Sequence, residues 1–270
     1  MTLLKVLQDA TLRAKKVILE NLDVAKERTG KLNPYGDRTL LLDAKAEDAI
    51  ISALLSSDTR FEILTEEKGF IRNTKLPEYL ALVDPIDGSA NLERGIPLAS
   101  IGISIVPYKD EMTTDDAEIS VIESVFTSET YIAVSGEGVT RNGKAVGPSS
   151  LVALRDAIIS YDTKKTWDSD FIRKSLGTIS AVHDMRRSAS NLLDLCWTAA
   201  GFLDAMVDLR NMLPIIHLSG THMVFEAGGF VLDKDGNRFK ESLKPDNMMN
   251  FIAASNEMLA RQILAKFNES

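Results

Sequence analysis

The chain has 270 residues, 44% hydrophobic and 26% charged, which is ample for a full core in one large domain or two smaller ones. A formal net charge of -8 and a sequence pI near 5.1 argue against a nucleic-acid backbone or an anionic membrane as partner. The single cysteine, Cys196, excludes an internal disulfide and fits a reducing compartment.

No apolar run approaches the ~20 residues that span a bilayer. The start, Met1-Thr2-Leu3-Leu4-Lys5, lacks the apolar stretch of a signal peptide. A cytoplasmic protein is therefore expected. Cys196, between Leu195 and Trp197, reads as an inert core thiol. An anionic small substrate would need a metal or a local basic cluster on so acidic a chain.

Apolar residues at Leu3, Leu7, Ala10, Ala14, Ile18, Leu22 and Ala25 predict a helix from about Leu3 to Lys26. Gly30 through Gly36 break it. A second amphipathic helix begins near Asp43, with Ala46, Ile50, Ala53 and Leu54 inward. Asp43 can serve as its N-cap or as a metal-site carboxylate, and a helix start allows both. Glu47 and Asp48 are expected on a solvated acidic face. Phe61 to Thr65 reads as a short strand that hands Glu66 and Glu67 to a loop.

The apolar run Tyr79 to Val83, bounded by Pro77 and Pro85, predicts a buried strand. It delivers Asp84 and Asp87 at its end, in the string Asp84-Pro85-Ile86-Asp87-Gly88-Ser89-Ala90-Asn91. Gly88 permits a strained turn, and Ser89 or Asn91 can cap a short helix whose amides face the carboxylates. Two anionic side chains beside amide donors suit a divalent cation bridging to a phosphate.

Strands are expected at Ile103 to Val106, Glu118 to Phe126 and Glu129 to Ala133, with a tight hairpin at Asn142-Gly143. Turn formers at Gly147-Pro148-Ser149-Ser150 mark a boundary between domains 1–148 and 149–270. An α/β pattern follows: a strand at Ala157 to Tyr161, a helix around Phe171 to Leu176, a strand at Ile179 to Val182 and a helix from Ser190 to Ala200. Arg186 and Arg187 precede that last helix, where positive charge opposes the dipole unless an anion is near, so a substrate role is expected for them. Arg210, after a strand at Ala205 to Asp208, is a further phosphate or sugar contact.

Asp43, Glu66-Glu67 and the string Asp84 to Asn91 together resemble the inositol monophosphatase superfamily of Mg²⁺-dependent, lithium-sensitive phosphatases. The likeness is strongest to archaeal-type members that act on inositol monophosphate and fructose 1,6-bisphosphate. It continues through Thr130 to Ala133, Gly136-Glu137-Gly138, Arg186 to Ser190, Ala200 to Asp204 and Glu226-Ala227-Gly228-Gly229. The resemblance implies an α/β layered α/β/α/β/α sandwich, with metals in the N-terminal half and the substrate pocket shaped by the C-terminal half.

It also implies roles. Glu66, Asp84, the Ile86 carbonyl and Asp87 match metal ligands, and Asp43 matches the carboxylate of a weaker third ion. Asp43, Glu66 and Ser89 match the catalytic set, with Ser89 paired to Asp43. Choosing Glu66 over Glu67 rests on the family pattern alone. Gly88 and Ser89 amides would hold phosphate oxygens, and Ser190 and Asn191 match substrate contacts. Mg²⁺, with Mn²⁺ as an alternative, is the implied cofactor; a homodimer acting on a small phosphorylated polyol or sugar is the implied assembly and substrate class.

One departure stands out. The family places an aspartate ligand at the start of the helix ending in Glu226-Ala227-Gly228-Gly229, but no carboxylate lies between Asp208 and Glu226. His217 stands within one residue of the expected position. It is read evenly as a substitute ligand or as an ordinary partly buried imidazole. Two alternatives follow: a phosphatase for 3′-phosphoadenosine 5′-phosphate, or a phosphate-binding regulatory protein that lost turnover with its aspartate.

Overall fold

The computed structural model describes residues 1–163 and 168–269. The first helix, α1 (Leu3–Glu20), buries Val6, Leu7, Ala10, Ala14 and Ile18 at helical spacing. It stops short of Lys26 because Asn21 folds back, its side-chain amide donating to the Val17 carbonyl at 2.8 Å. The segment read as a break carries a small hairpin, β1 (Arg28–Leu32) and β2 (Arg38–Leu40). The second helix, α2 (Leu41–Leu55), starts earlier than expected. Asp43 therefore lies inside its first turn and is not its N-cap; that position belongs to Leu40.

The strands β3 (Phe61–Thr65), β4 (Gly69–Ile71), β5 (Tyr79–Asp87), β6 (Ser100–Pro107), β7 (Ile119–Ser124), β8 (Thr130–Val134), β9 (Gly138–Arg141) and β10 (Lys144–Val146) form one sheet in the order β10-β9-β8-β7-β6-β5-β3-β4. Asn142 and Gly143 close the β9–β10 hairpin with φ of 52° and 74°, the mirror-image turn their residue types favour. A short helix, α3 (Ser89–Arg94), follows β5.

Farther along lie β11 (Ile158–Tyr161), α4 (Ser169–Ala181), β12 (Asp184–Arg186), α5 (Asn191–Ala199), β13 (Ala205–Pro214), α6 (Leu218–Glu226), β14 (Phe230–Asp233), β15 (Met248–Ala254) and α7 (Glu257–Glu269). Their strands form a second sheet ordered β12-β11-β13-β15-β14. The strand expected at Ile179 to Val182 is absent. Phe171, Ser175 and Thr178 are buried at helical spacing, so α4 runs on through Ile179, and the strand starts at Asp184.

Three apolar cores separate five layers. The first unites α1 and α2 with one face of the large sheet, through Ile18, Ile50, Ile63, Val83 and Ile103. The second lies between the sheets and is filled by α5 and α6, with Leu195, Val224, Leu82, Met206 and Phe251 in contact. The third joins the outer face of the small sheet to α4 and α7 through Phe171, Val207 and Ile263. This is the α/β/α/β/α sandwich. Buried between two sheets, α5 is apolar on most sides, and Leu192, Leu193, Leu195, Cys196 and Ala199 are all covered. Gly102 on β6 permits its close approach, since a Cβ there would meet Leu192 Cδ1 at 2.4 Å.

The end of β5 departs from regular pairing. Asp84 stands opposite Gly102 and Asp87 opposite Ser100, so three steps on β5 match two on β6. In a regular strand, residues three apart point to opposite faces. The extra residue of this bulge restores both carboxylates to one side, and Pro85, which has no N–H to donate, sits where the ladder is interrupted. The chain then turns at Gly88 with φ of +100°, and a Cβ would lie 2.9 Å from the Leu98 carbonyl oxygen. Neither Ser89 nor Asn91 caps α3, because Gly88 holds the cap position. Gly88→Ala should lower unfolding stability by on the order of 2 kcal/mol. Chemical denaturation checks this, and an unchanged midpoint would show that the turn relaxes freely.

One acid is buried within α5. Asp194 accepts from Ser160 Oγ on the small sheet at 2.5 Å, and burial pushes its carboxyl up to about 7. Its folded pKa lies above the unfolded value, so the fold holds this proton more tightly than the open chain. Stability should therefore fall as pH rises from about 4 to about 7, by ~4 kcal/mol at most, and then level off. Asp194→Asn should flatten that part of the profile. Urea unfolding of both proteins at pH 5 and pH 8 measures the difference. Equal losses would show that Asp194 does not titrate in this range.

Candidate metal and phosphate site

The ends of β3 and β5, the first turn of α2 and the start of α6 meet at one open cavity of about 780 Å³. Asp43, Glu66, Glu67, Asp84 and Asp87 line it, with Ile86, Gly88, Ser89 and His217 among them. Arg187, Asn191 and Arg210 line it from the second half of the chain.

Each carboxylate is held by a different device. Asp84 Oδ1 accepts from the Ile86 amide across Pro85 at 3.1 Å. Its Oδ2 is buried with no hydrogen-bond donor aligned on it. Asp87 Oδ2 accepts from Ser190 Oγ at 2.8 Å and from the Leu192 amide at 2.6 Å, so it caps α5 from another element. Its Oδ1 is turned toward His217 Nε2, 3.9 Å away. Asp43 Oδ1 lies 3.0 Å from Ser89 Oγ, which is also 2.9 Å from the Ile86 carbonyl oxygen.

The Glu66-Glu67 turn is pinned from below by Glu47. This residue is fully buried, not solvated as its sequence context implied. It accepts from Thr65 Oγ1 at 2.7 Å and from the Glu67 and Lys68 amides at 3.0 and 3.1 Å. Asp48 is exposed and pairs with Lys68. Glu67 faces the cavity too, held by the Thr39 hydroxyl. Sequence reasoning had only the family pattern to choose between the two glutamates, and the structure brings both to the site. The hairpin β1–β2 adds Tyr35, and burial followed by the charges of Glu66 and Asp84 raises its phenol pKa.

Crowded anions in a dry place resist ionisation. Burial holds Asp43 and Glu66 well above the usual carboxylate range, helped by Glu67 at the first and Asp84 at the second. Burial also raises Asp84, and pushes Glu67 up to about 7. His217 is buried, with Nε2 3.1 Å from Asp84 Oδ2. Burial works against its charged form, but the Asp84 and Asp87 carboxylates together outweigh that and hold the imidazole's pKa well above its ordinary value. Among the described residues, Asp84, Asp87 and His217 offer three ligand atoms within 4.8 Å of one another. Hard carboxylate oxygens with one orphaned buried oxygen fit a divalent cation.

Not every expected contact reaches the cavity. Arg186 is exposed on the edge strand β12, where it pairs with Asp184 at 2.5 Å and does not line the site. Its neighbour Arg187, just past the end of β12, lies 3.0 Å from Asp162 and lines the cavity. Ser190 is fully buried and works behind Asp87, so it supports a carboxylate and cannot touch a substrate. Arg210 is buried at the wall, 2.9 Å from Asp162 and paired with Asp208. His222 lies elsewhere, its Nδ1 2.7 Å from Ser120 Oγ. No helix among the described residues is long and apolar enough to cross a membrane.

Known proteins share this architecture. The chain is 29% identical over 236 residues to a fructose-1,6-bisphosphatase of Pyrococcus furiosus, covering 87% of this chain and 85% of that one. It is 28% identical over 244 residues to a fructose-1,6-bisphosphatase/inositol-1-monophosphatase of Methanothermobacter thermautotrophicus, covering 87% and 85%. The solved extragenic suppressor protein suhB of Bartonella henselae superposes with a TM-score of 0.84 at 25% identity, over 99% of this chain and 98% of that one. The model of the Inositol monophosphatase family matches residues 1–270. The chain therefore belongs to the inositol monophosphatase family of metal-dependent hydrolases acting on phosphate monoesters.

Proposed function

We propose that the protein hydrolyses the phosphate monoester of a small polyol or sugar, with inositol monophosphate and fructose 1,6-bisphosphate as first substrates. The observation that carries this reading is the convergence of Asp43, Glu66, Glu67, Asp84 and Asp87 on one open cavity that Arg187 and Arg210 also line. Glu66, Asp84, the Ile86 carbonyl and Asp87 would hold Mg²⁺, His217 would close the cluster, and Asp43 would take a further ion. When bound, such ions lower the pKa of water and neutralise charge on the phosphate and the leaving alkoxide.

The residues of the chain then have definite tasks. Ser89 Oγ, between Asp43 Oδ1 and the Ile86 carbonyl, has one proton and two acceptors within reach. It can pass an incoming water's proton toward Asp43 while keeping the oxygen aimed at phosphorus. Ser89 and Ala90 stand in the first turn of α3, where amides lack intrahelical acceptors and can hold phosphate oxygens. Arg187, Arg210 and Asn191 orient the rest of the substrate. Because Asp162 already neutralises part of the two arginines, that wall suits hydroxyl groups.

Phosphate release from both substrates, measured with and without Mg²⁺, tests the reading directly. Asp84→Asn should abolish that release while leaving the melting temperature within a few degrees, since it removes charge and retains shape. Near-normal turnover at saturating Mg²⁺ would remove Asp84 from the metal site. Ser89→Ala should lower kcat by roughly 10²-fold, the usual scale of positioned proton transfer, with a smaller effect on KM. An intact kcat would reduce Ser89 to a structural hydroxyl.

A further inference from the structure

Pro214 ends β13 and leads into a single 3-10 turn, Ile215–His217, whose three residues are buried. His217 Nδ1 lies 3.2 Å from the Pro214 carbonyl oxygen. A carbonyl can only accept, so Nδ1 carries the hydrogen and donates it. In the neutral ring this leaves the Nε2 lone pair facing Asp84 Oδ2 at 3.1 Å and Asp87 Oδ1 at 3.9 Å. Three acceptors aimed at one point repel unless something positive lies between them. A carbonyl bond to the far nitrogen is also how metal-binding histidines are commonly oriented.

We infer that Asp84, Asp87 and the His217 imidazole form a cation position that prefers Mn²⁺ to Mg²⁺. The inference deepens the proposed function and rests on its assignment of the cluster to metals. Mg²⁺ demands oxygen and sheds water reluctantly, whereas Mn²⁺ stands higher in affinity for nitrogen-containing sites. An aspartate at this position would favour neither ion through a nitrogen. The imidazole therefore gives this position a selectivity that carboxylates alone would not.

The test needs no substrate. The whole chain is labelled with ¹⁵N-histidine, loaded with Mn²⁺ and read by pulsed electron paramagnetic resonance. A directly bonded histidine nitrogen should appear in the wild type and vanish in His217→Asp. The two other histidines cannot supply it: His183 is exposed, and neither it nor the buried His222 lines the cavity. Calorimetric titration should show the ratio of Mg²⁺ to Mn²⁺ dissociation constants falling roughly tenfold or more in His217→Asp, the scale on which changes around a metal act. Bound Mn²⁺ without nitrogen coupling in the wild type would overturn the inference and leave an imidazolium in that place. The wild-type spectrum decides this even if the variant folds poorly. Nitrogen coupling without phosphate release would sink the phosphatase reading alone; phosphate release without the coupling would sink this one alone.

Discussion

The bulge at Pro85 and Ile86 is the constraint from which the site follows. Without the extra residue, Asp84 and Asp87 would lie on opposite faces of the large sheet. One would be driven among Ile63, Val83 and Ile103, and no shared cation could reach both. Placing them together puts two anions a few ångströms apart in a buried corner, which is expensive unless compensated. The surroundings supply the compensation piecemeal: the Ile86 amide on Asp84, the α5 amide and Ser190 on Asp87, Ser89 on Asp43 and Thr39 on Glu67. The remaining deficit shows as carboxyl groups that hold their protons too firmly. A divalent ion is the species that removes it, so cation binding should displace protons from this cluster.

Asp87 carries a second duty. Its carboxylate belongs to the end of β5, yet it caps α5, the helix that fills the space between the two sheets. The residues just before that helix place Arg187 on the substrate wall. A change in what binds Asp87 Oδ1 is therefore felt, through one carboxyl group, at the helix start that shapes the wall. The carboxylate cluster and the start of α5 thus share one side chain, Asp87.

Much of this was legible in the chain. Short apolar runs ending in acids located β3 and β5, and the family pattern pointed to His217 by counting from Glu226 and Arg210. What escaped the sequence did so for identifiable reasons. Glu47 reads as one of a solvated acidic pair, because nothing local shows that the turn above it will lend three donors. Ile179 to Val182 begins and ends on β-branched residues, but tertiary packing of Phe171 and Thr178 carries the helix on to Ala181. The hairpin over the cavity is short, polar and rich in turn formers, so no periodicity announces it. Arg186 and Arg187 are alike in sequence and separate only in the fold, where β12 ends between them and they pair with Asp184 and Asp162. Ser190 is a polar residue at a helix start, where cap, ligand and support look the same until its partner is seen.

The contrast between His217 and His222 shows how much depends on the partner of the far nitrogen. Both are buried and both stand on or beside α6. His222 Nδ1 meets the Ser120 hydroxyl, which can donate or accept, so the ring is free to choose its tautomer and settles into the core between α6 and the large sheet. His217 Nδ1 meets a proline carbonyl, which can only accept, so in the neutral ring its other nitrogen is the acceptor. In that form the Nε2 lone pair faces the carboxylates, and a bound cation would relieve the repulsion between them. Residue type and burial alone would have ranked these two histidines equally; the hydrogen-bond character of one backbone oxygen separates them.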